Sequence, residues 1–177
     1  MMHFARAVLA ACLIAFLAPA HAEKAAGNVV DDSTVSASVK AALFDNQYTP
    51  SGQINVETYK GAVLLSGFVA TQAQKDEAAK VAAGVSGVRN VHNAISLQPN
   101  TSFGTKLEDA GTTSRVKAAL MDDKDVKSGQ INVETKSGVV QLGGFVANEL
   151  TAKRALEVAA GVSGVKRVED AMFVRPE

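Results

Sequence analysis

The sequence predicts an α+β fold of two tandem domains, each an α-β-β-α-β unit whose three-stranded sheet carries two helices on one face. The octapeptide VAAGVSGV occurs at residues 81–88 and again at 158–165. Around it, residues 51–97 and 128–174 align without a gap and share 26 of 47 positions, where unrelated segments would share about 3. Each copy also shows helical and alternating apolar patterns in the same order. The chain is therefore a tandem duplication.

The amino end has the three parts of a secretory signal peptide. Arg6 supplies the positive charge, residues 7–18 are an uninterrupted apolar run, and small residues Ala20 and Ala22 occupy the positions that a signal peptidase requires. The apolar run is too short to cross a bilayer as a helix of the mature protein. We expect cleavage after Ala22, which places the mature protein in the periplasm.

A second interpretation of the amino end remains open. The stretch LAAC, ending at Cys12, resembles the lipobox of bacterial lipoproteins, in which the cysteine is acylated and becomes the first residue. Few residues separate Arg6 from Cys12, and the apolar run continues beyond the cysteine, which is not the lipoprotein arrangement. The two interpretations differ in consequence, since one gives a free protein and the other a membrane-tethered one.

Composition limits the possible function classes. Cys12 is the only cysteine and lies in the signal segment, so the mature chain has no disulfide or thiol chemistry. The whole chain has 18 Lys and Arg against 18 Asp and Glu, without the positive surplus of a nucleic-acid-binding protein. No apolar run after Ala22 is long enough to span a bilayer.

The first half of each unit is predicted as a helix followed by a β-hairpin. The first helix is expected to start near Asp32 or Ser33, both suitable N-caps, and to place Val35 and Val39 on one apolar face. The strand QINVETY follows, and then a tight turn at Lys60 and Gly61. The same elements recur 77 residues later in the second copy.

Comparing the two copies indicates which face of the second strand is buried. Val63, Leu65 and Val69 recur unchanged as Val140, Leu142 and Val146, so this side should face the core. Leu64 is replaced by Gln141. We therefore expect the opposite side of the strand to meet water.

The second half of each unit is predicted as a helix and a third strand. Ala78, Val81 and Ala82 have helical spacing, and Gly84 and Gly87 should end the helix before the strand VRNVHNAISL. The predicted organisation is a signal peptide at 1–22, a flexible segment at 23–31, domains at 32–98 and 109–177, and a linker at 99–108. A unit of about 65 residues is near the lower limit of independent stability, so packing between the two domains would be a natural remedy.

The conserved spacing within this chain resembles the BON domain family. The motif INV…GxVxLxGxV, a helix and then AxxVxGVxxVxNxI correspond here to Ile54, Val56, Gly61, Val63, Leu65, Gly67, Val69, Ala82, Val85, Gly87, Val88, Val91, Asn93 and Ile95. The second copy departs at Asp170 and Met172, which replace Asn93 and Ile95. A signal peptide followed by two such units resembles the osmotically inducible periplasmic proteins of this family. The resemblance implies a place in the cell envelope, induction by stress, phospholipid association and no enzymatic activity.

The residues themselves offer little catalytic chemistry. His92 is the only histidine after the signal segment, and Glu169 takes its place in the second copy, which indicates a surface position. Asp122, Asp123 and Asp125 lack the spacing of a calcium loop. The glycines of GVSGV are not followed by the Lys-Ser/Thr of a phosphate loop. We expect no catalytic residues, no metal and no cofactor.

Two kinds of residue are candidates for a membrane or partner surface. The second unit has no net positive charge over residues 109–174, so affinity for an anionic membrane must come from local basic patches. The candidates are Lys153 and Arg154 on the second helix, and Lys166 and Arg167 before the third strand. Phe68 and Phe145 occur on the outward side of the second strand in both copies. They are expected to cover the end of the core or else to contact lipid or another chain.

Two functions from different classes remain. The first is a non-enzymatic envelope-stress protein that associates with phospholipid surfaces, where two linked units strengthen weak contacts. The alternative is a chaperone-like or assembly module that binds other envelope proteins. Neither involves nucleic acid or a transmembrane span of the mature chain.

Overall fold

The computed structural model describes residues 31–98 and 103–175, with no side-chain placement for Phe103. The predicted signal peptide, the cleavage point after Ala22 and Cys12 lie outside these residues. The described chain forms an α+β fold of two similar halves, as predicted.

The first unit has the predicted order of elements, with one interruption. It contains helix α1 (Asp32–Asp45), strands β1 (Ile54–Tyr59) and β2 (Ala62–Val69), helix α2 (Gln72–Ala83), and strands β3 (Asn90–Asn93) and β4 (Ser96–Leu97). β1 is antiparallel to β2, and β3 and β4 both run parallel to β2 along its other edge. The third strand of the prediction is therefore broken between Asn93 and Ser96.

The second unit repeats this order with an unbroken last strand. It contains α3 (Phe103–Asp122), β5 (Asn132–Lys136), β6 (Val139–Val146), α4 (Glu149–Ala160) and β7 (Arg167–Val174). β6 lies between antiparallel β5 and parallel β7. α3 begins inside the segment predicted as a linker, and it runs through both Gly104 and Gly111, because an isolated glycine weakens a helix without ending it.

Each unit has its own apolar core between its helices and one face of its sheet. In the first unit, Val35 and Val39 of α1 pack against Val63, Leu65 and Val69 of β2, all of them buried. The second unit uses the matching positions of α3 and β6. The predicted inward face of the second strand is confirmed in both units.

Helices α1 and α3 are tied to their hairpins by an aspartate. The Asp32 carboxylate accepts hydrogen bonds from the backbone N–H groups of Lys60 (2.6 Å) and Gly61 (2.8 Å). Asp109 makes the same pair of bonds to Ser137 and Gly138, at 2.8 and 2.9 Å. Asp32 was expected as a helix N-cap; instead Asp31 precedes the helix, and Asp32 satisfies the turn.

The outward face of the second strand does not meet water, so that prediction is wrong. Leu64 is 1% exposed and Gln141 is 2% exposed. The outer face of the first sheet packs against the outer face of the second, which buries both. The prediction treated the polar side chain of Gln141 as a sign of contact with water. In the structure, that side chain instead forms hydrogen bonds with the first unit.

The contact between the two sheets is reciprocal. Asn55 Nδ2 donates to Glu134 Oε1 at 3.2 Å, and the matching Asn132 Nδ2 donates to Glu57 Oε1. Ser66 lies against Gly143, its own counterpart, and a Cβ at Gly143 would fall 2.6 Å from Ser66 Oγ. Contacts that exchange in this way define a two-fold relationship between the units.

The two-fold relationship also holds at the edge of the contact formed by the last strands of the two units. The ring of His92 lies 3.8 Å from the ring of Phe173, measured between centroids. At the matching positions, Ser96 Oγ donates to a carboxylate oxygen of Glu169. His92, expected at the solvent side of its strand, is therefore part of the interface, and the two halves form one layered body of helices, sheet, sheet and helices.

Candidate interaction surfaces

The first predicted basic pair lies on the outer face of α4. The helix begins after Asn148, whose side chain accepts from the Thr151 N–H at 2.8 Å, and Ala155 and Ala159 face the core. Lys153 and Arg154 consequently project outward, and both are exposed.

The guanidinium of Arg154 is already bound by carboxylates. Its Nε and one terminal nitrogen lie 2.9 and 2.8 Å from Asp123 Oδ2, and its other terminal nitrogen lies 3.5 Å from Glu157 Oε2. The hydrogen bond from Arg154 lowers the pKa of Asp123. In the first unit, Asn46 and Glu77 form the matching link at 3.0 Å. Arg154 thus joins α4 to the end of α3.

The second predicted basic pair lies at the start of β7. Arg167 is paired with Glu169, at 2.5 Å between a guanidinium nitrogen and Oε1. The Lys166 N–H donates to the carbonyl of Gly138 at 2.8 Å, and its side chain is exposed. Two of the four predicted cations, Arg154 and Arg167, are therefore paired with carboxylates. Lys153 and Lys166 are exposed and form no ion pair within residues 31–98 and 103–175.

The two predicted aromatic residues lie between the units. Phe68 and Phe145 are each 4% exposed. The ring of Phe145 is 5.8 Å from that of Tyr59, centroid to centroid, and Arg175 lies 5.2 Å from the Tyr59 ring centroid. Both phenylalanine rings are buried in the contact between the sheets. They are therefore not available to a membrane in this arrangement, and the predicted cations are the remaining candidates.

Sequence reasoning missed the most exposed apolar side chain of α4. Leu150 is 79% exposed, and Lys153 and Arg154 follow it by three and four residues, which places all three on adjoining parts of the helix surface. The signal was present in the comparison of the copies, because Leu150 and Lys153 replace Ala73 and Asp76. An apolar residue that appears outside the core positions in only one copy is visible when the two copies are aligned.

Other exposed apolar side chains lie at the ends of α1 and α3. Phe44 and Met121 occupy matching positions and are 77% and 72% exposed, and Tyr48 is 66% exposed. The buried positions of these helices, such as Leu43 and Leu120, directly precede Phe44 and Met121. Each exposed residue therefore lies just outside the face that packs on the sheet.

The part of the chain that the structure describes contains neither a metal-binding group of side chains nor a membrane-spanning helix. No group of three or more His, Cys, Asp or Glu residues there could hold a metal ion. No described helix is both long and apolar enough to cross a bilayer.

Two α-β-β-α-β modules packed sheet against sheet define the class of this protein. The chain belongs to the BON domain family, which matches residues 31–99 and 108–176. It is 44% identical over 146 residues to osmotically-inducible protein Y of Escherichia coli, covering 81% of this chain and 73% of that protein. It is 36% identical to the outer membrane lipoprotein DolP of Haemophilus influenzae, over 80% of this chain and 74% of that one. The 21 kDa hemolysin of Actinobacillus pleuropneumoniae is 34% identical over 82% of this chain and 75% of its own length.

Proposed function

We propose that this protein is a non-enzymatic periplasmic protein of the envelope stress response that associates with phospholipid surfaces. One relative is named for osmotic induction and another is an outer membrane lipoprotein, which supports a role in the envelope. Export by a signal peptide cleaved after Ala22 belongs to this proposal, with acylation at Cys12 as its alternative. Mass spectrometry of the mature amino end distinguishes a free Glu23 from an acylated cysteine.

The observation that carries the lipid proposal is an exposed apolar side chain next to an exposed cation on α4. Leu150 is almost fully exposed beside the exposed Lys153, whose ammonium forms no ion pair within residues 31–98 and 103–175. An apolar side chain that enters the acyl boundary next to a cation that meets lipid phosphates is the usual pattern of interfacial binding. Each basic residue near an anionic leaflet contributes about 1 kcal/mol. A surface of this size gives weak, salt-sensitive association.

The test uses the residues of the first unit as replacements in the second. Leu150→Ala and Lys153→Asp together give α4 the side chains that α2 carries at the matching positions. In co-sedimentation with vesicles rich in phosphatidylglycerol, we expect the parent protein to bind at low salt and to dissociate as salt rises. The double variant should bind at least about tenfold more weakly, corresponding to the loss of one cation and one apolar anchor.

The reverse exchange is the matched control. Ala73→Leu with Asp76→Lys places the same anchor on α2, and it should strengthen binding to the same vesicles. Equal binding by the parent and by the Leu150→Ala, Lys153→Asp variant would refute the α4 surface. No binding of the parent to any anionic vesicle would refute lipid association itself.

A second function is favoured by the exposed rings at the end of α1. Phe44 and Tyr48 are 77% and 66% exposed, and exposed apolar rings of this kind suit contact with apolar segments of other envelope proteins. This chaperone-like or assembly role predicts suppression of aggregation of an unfolded client protein. Phe44→Ser with Tyr48→Ser should abolish the suppression and leave vesicle binding unchanged.

A further inference from the structure

A cleft of about 530 Å³ opens at one side of the contact between the two units. Phe68 of β2 and Gln53 of the turn before β1 line it from the first unit, and Lys106, Lys117 and Lys136 line it from the second. Its volume lies in the range of sites that bind small molecules.

The two sides of the contact are related by the two-fold relationship but differ in one side chain, and this difference explains the position of the cleft. At the matching place on the other side, the Tyr59 ring packs 5.8 Å from Phe145, with Arg175 5.2 Å from the Tyr59 ring centroid. Lys136 stands at the position that corresponds to Tyr59, and Phe68 at the position that corresponds to Phe145. A lysine therefore replaces the aromatic ring, and the space beside Phe68 is left open.

The charges around the cleft favour an anion. Asp109 and Glu134 line it too, but both oxygens of Asp109 accept from the Ser137 and Gly138 N–H groups, and Glu134 accepts from Asn55. These neutral donors leave both carboxylates charged, so the lining has three ammonium groups against two carboxylates, a net formal charge of +1. Within residues 31–98 and 103–175, none of the three ammonium groups forms an ion pair.

Lys136 is the most enclosed of the three. Its Nζ donates to a neutral partner, Gln53 Oε1, at 3.3 Å. Burial lowers the pKa of Lys136, and the charge of Lys106 lowers it further, while Asp109 opposes the shift. A bound anion would relieve the repulsion between Lys106 and Lys136.

We propose that this cleft binds a small aromatic carboxylate, whose ring takes the place that Tyr59 fills on the other side. The ring lies against the edge of Phe68, and the carboxylate lies among the ammonium groups of Lys106, Lys117 and Lys136. The proposal does not depend on lipid association, because α4 does not line the cleft.

The probe is 4-hydroxyphenylacetate, which joins the phenol ring of a tyrosine side chain to a carboxylate. Its amide, 4-hydroxyphenylacetamide, has the same ring and shape without the charge. Titration of the isotope-labelled mature chain, followed by NMR, should show saturable shifts at Phe68 and Lys136 with the acid. The amide should bind at least about tenfold more weakly, because it cannot form charge-assisted hydrogen bonds.

Two variants test the same site independently. Lys136→Tyr should close the cleft in the manner of Tyr59 and remove acid binding. Lys106→Gln with Lys117→Gln changes exposed side chains, should leave the fold intact, and should weaken acid binding about tenfold without affecting the amide. Lys124→Gln, an exposed lysine outside the cleft, is the matched control and should have no effect.

Several results would overturn the proposal. These are no saturable binding of the acid, equal affinity for acid and amide, shifts scattered away from Phe68 and Lys136, or unchanged affinity in the Lys106→Gln, Lys117→Gln variant. If Lys136→Tyr does not fold, the double glutamine variant still decides. None of these outcomes bears on vesicle binding, which is measured without the probe.

Discussion

The side chain of Gln141, in the second unit, accepts a hydrogen bond from the backbone N–H of Gly67 in the first. The Gln141 amide nitrogen donates to the carbonyl of Ala94 at 2.9 Å and to Ser96 Oγ at 2.8 Å. Ala94 lies at the break between β3 and β4, where strand pairing is interrupted. One glutamine thus supplies hydrogen-bond partners that a continuous strand would not require.

We expect Gln141→Leu to destabilise the protein although it restores the residue found at the matching position, Leu64. The substitution leaves the Gly67 N–H and the Ala94 carbonyl without the Gln141 amide, and an unsatisfied buried polar group costs about 1–3 kcal/mol. Urea unfolding should show a loss of about 2 kcal/mol or more. Gln47→Leu, at an exposed site on the connection after α1, is the control and should change stability by less than about 0.5 kcal/mol. Equal stability of the Gln141→Leu variant and the parent would show that water replaces the lost bonds.

Gly67 in β2 and Gly144 in β6 should not tolerate alanine. Gly67 and Gly144 have φ angles of 116° and 146°, and an added Cβ would lie 2.2 Å from the Gln53 carbonyl oxygen or 2.1 Å from that of Gln130. Either alanine variant should lower the melting temperature by at least about 4 °C, because a backbone oxygen must move. Gly52→Ala and Gly129→Ala are matched controls, since nothing lies within 4 Å of a Cβ at either site. A melting temperature equal to that of the controls would contradict the backbone contact.

Removing the carboxylate of Asp109 should loosen the second hairpin. Asp109→Ala leaves the N–H groups of Ser137 and Gly138 without their acceptor, and Ser137 has a φ of 55°, a conformation that non-glycine residues seldom adopt. We expect a loss of about 2 kcal/mol in unfolding free energy. Hydrogen exchange of these two amides should accelerate more than that of the matching pair at Lys60 and Gly61. Uniform acceleration of both pairs would indicate a global effect instead.

Glu57 should make the stability of the interface depend on pH. Burial raises its pKa above the ordinary value, while the Phe145 N–H, Asn132, Lys40 and Arg175 oppose the shift. The folded protein therefore holds this proton more tightly than the unfolded chain, so the contribution is present at acid pH and is lost as pH rises through the raised pKa. The unfolding free energy of the parent relative to Glu57→Gln should therefore fall as pH rises from acid values through that raised pKa. Lys40→Gln should move that fall to higher pH, and a pH-independent difference would contradict the assignment.

The inner architecture of each unit could be predicted because it follows from local periodicity. Val63, Leu65 and Val69 alternate along one strand, and all three are buried as expected. The outer face could not be predicted in the same way. Alternation shows only that Leu64 points opposite to Val63, and whether water or another sheet lies there depends on a partner distant in sequence.

The candidate surfaces could likewise be predicted only in part from the sequence. Lys153 and Lys166 were recognisable from charge, and both side chains are exposed. The pairing of Arg154 could not be recognised, because Asp123 is brought to it by tertiary packing across 31 residues of chain. Arg167 differs, since its partner Glu169 is only two residues away in the sequence. The cleft beside Phe68 arises from the difference between Tyr59 and Lys136, which acquires meaning only when the two-fold relationship is known.

The exchange of Asn55 with Glu134 and of Asn132 with Glu57 has an evolutionary consequence. A single-module ancestor would have presented one self-complementary patch, and two such molecules could have paired as a homodimer. Joining the two genes would have made that pairing permanent. After that, each domain could acquire substitutions independently of the other. Gln141 and Lys136 now differ from the matching residues Leu64 and Tyr59.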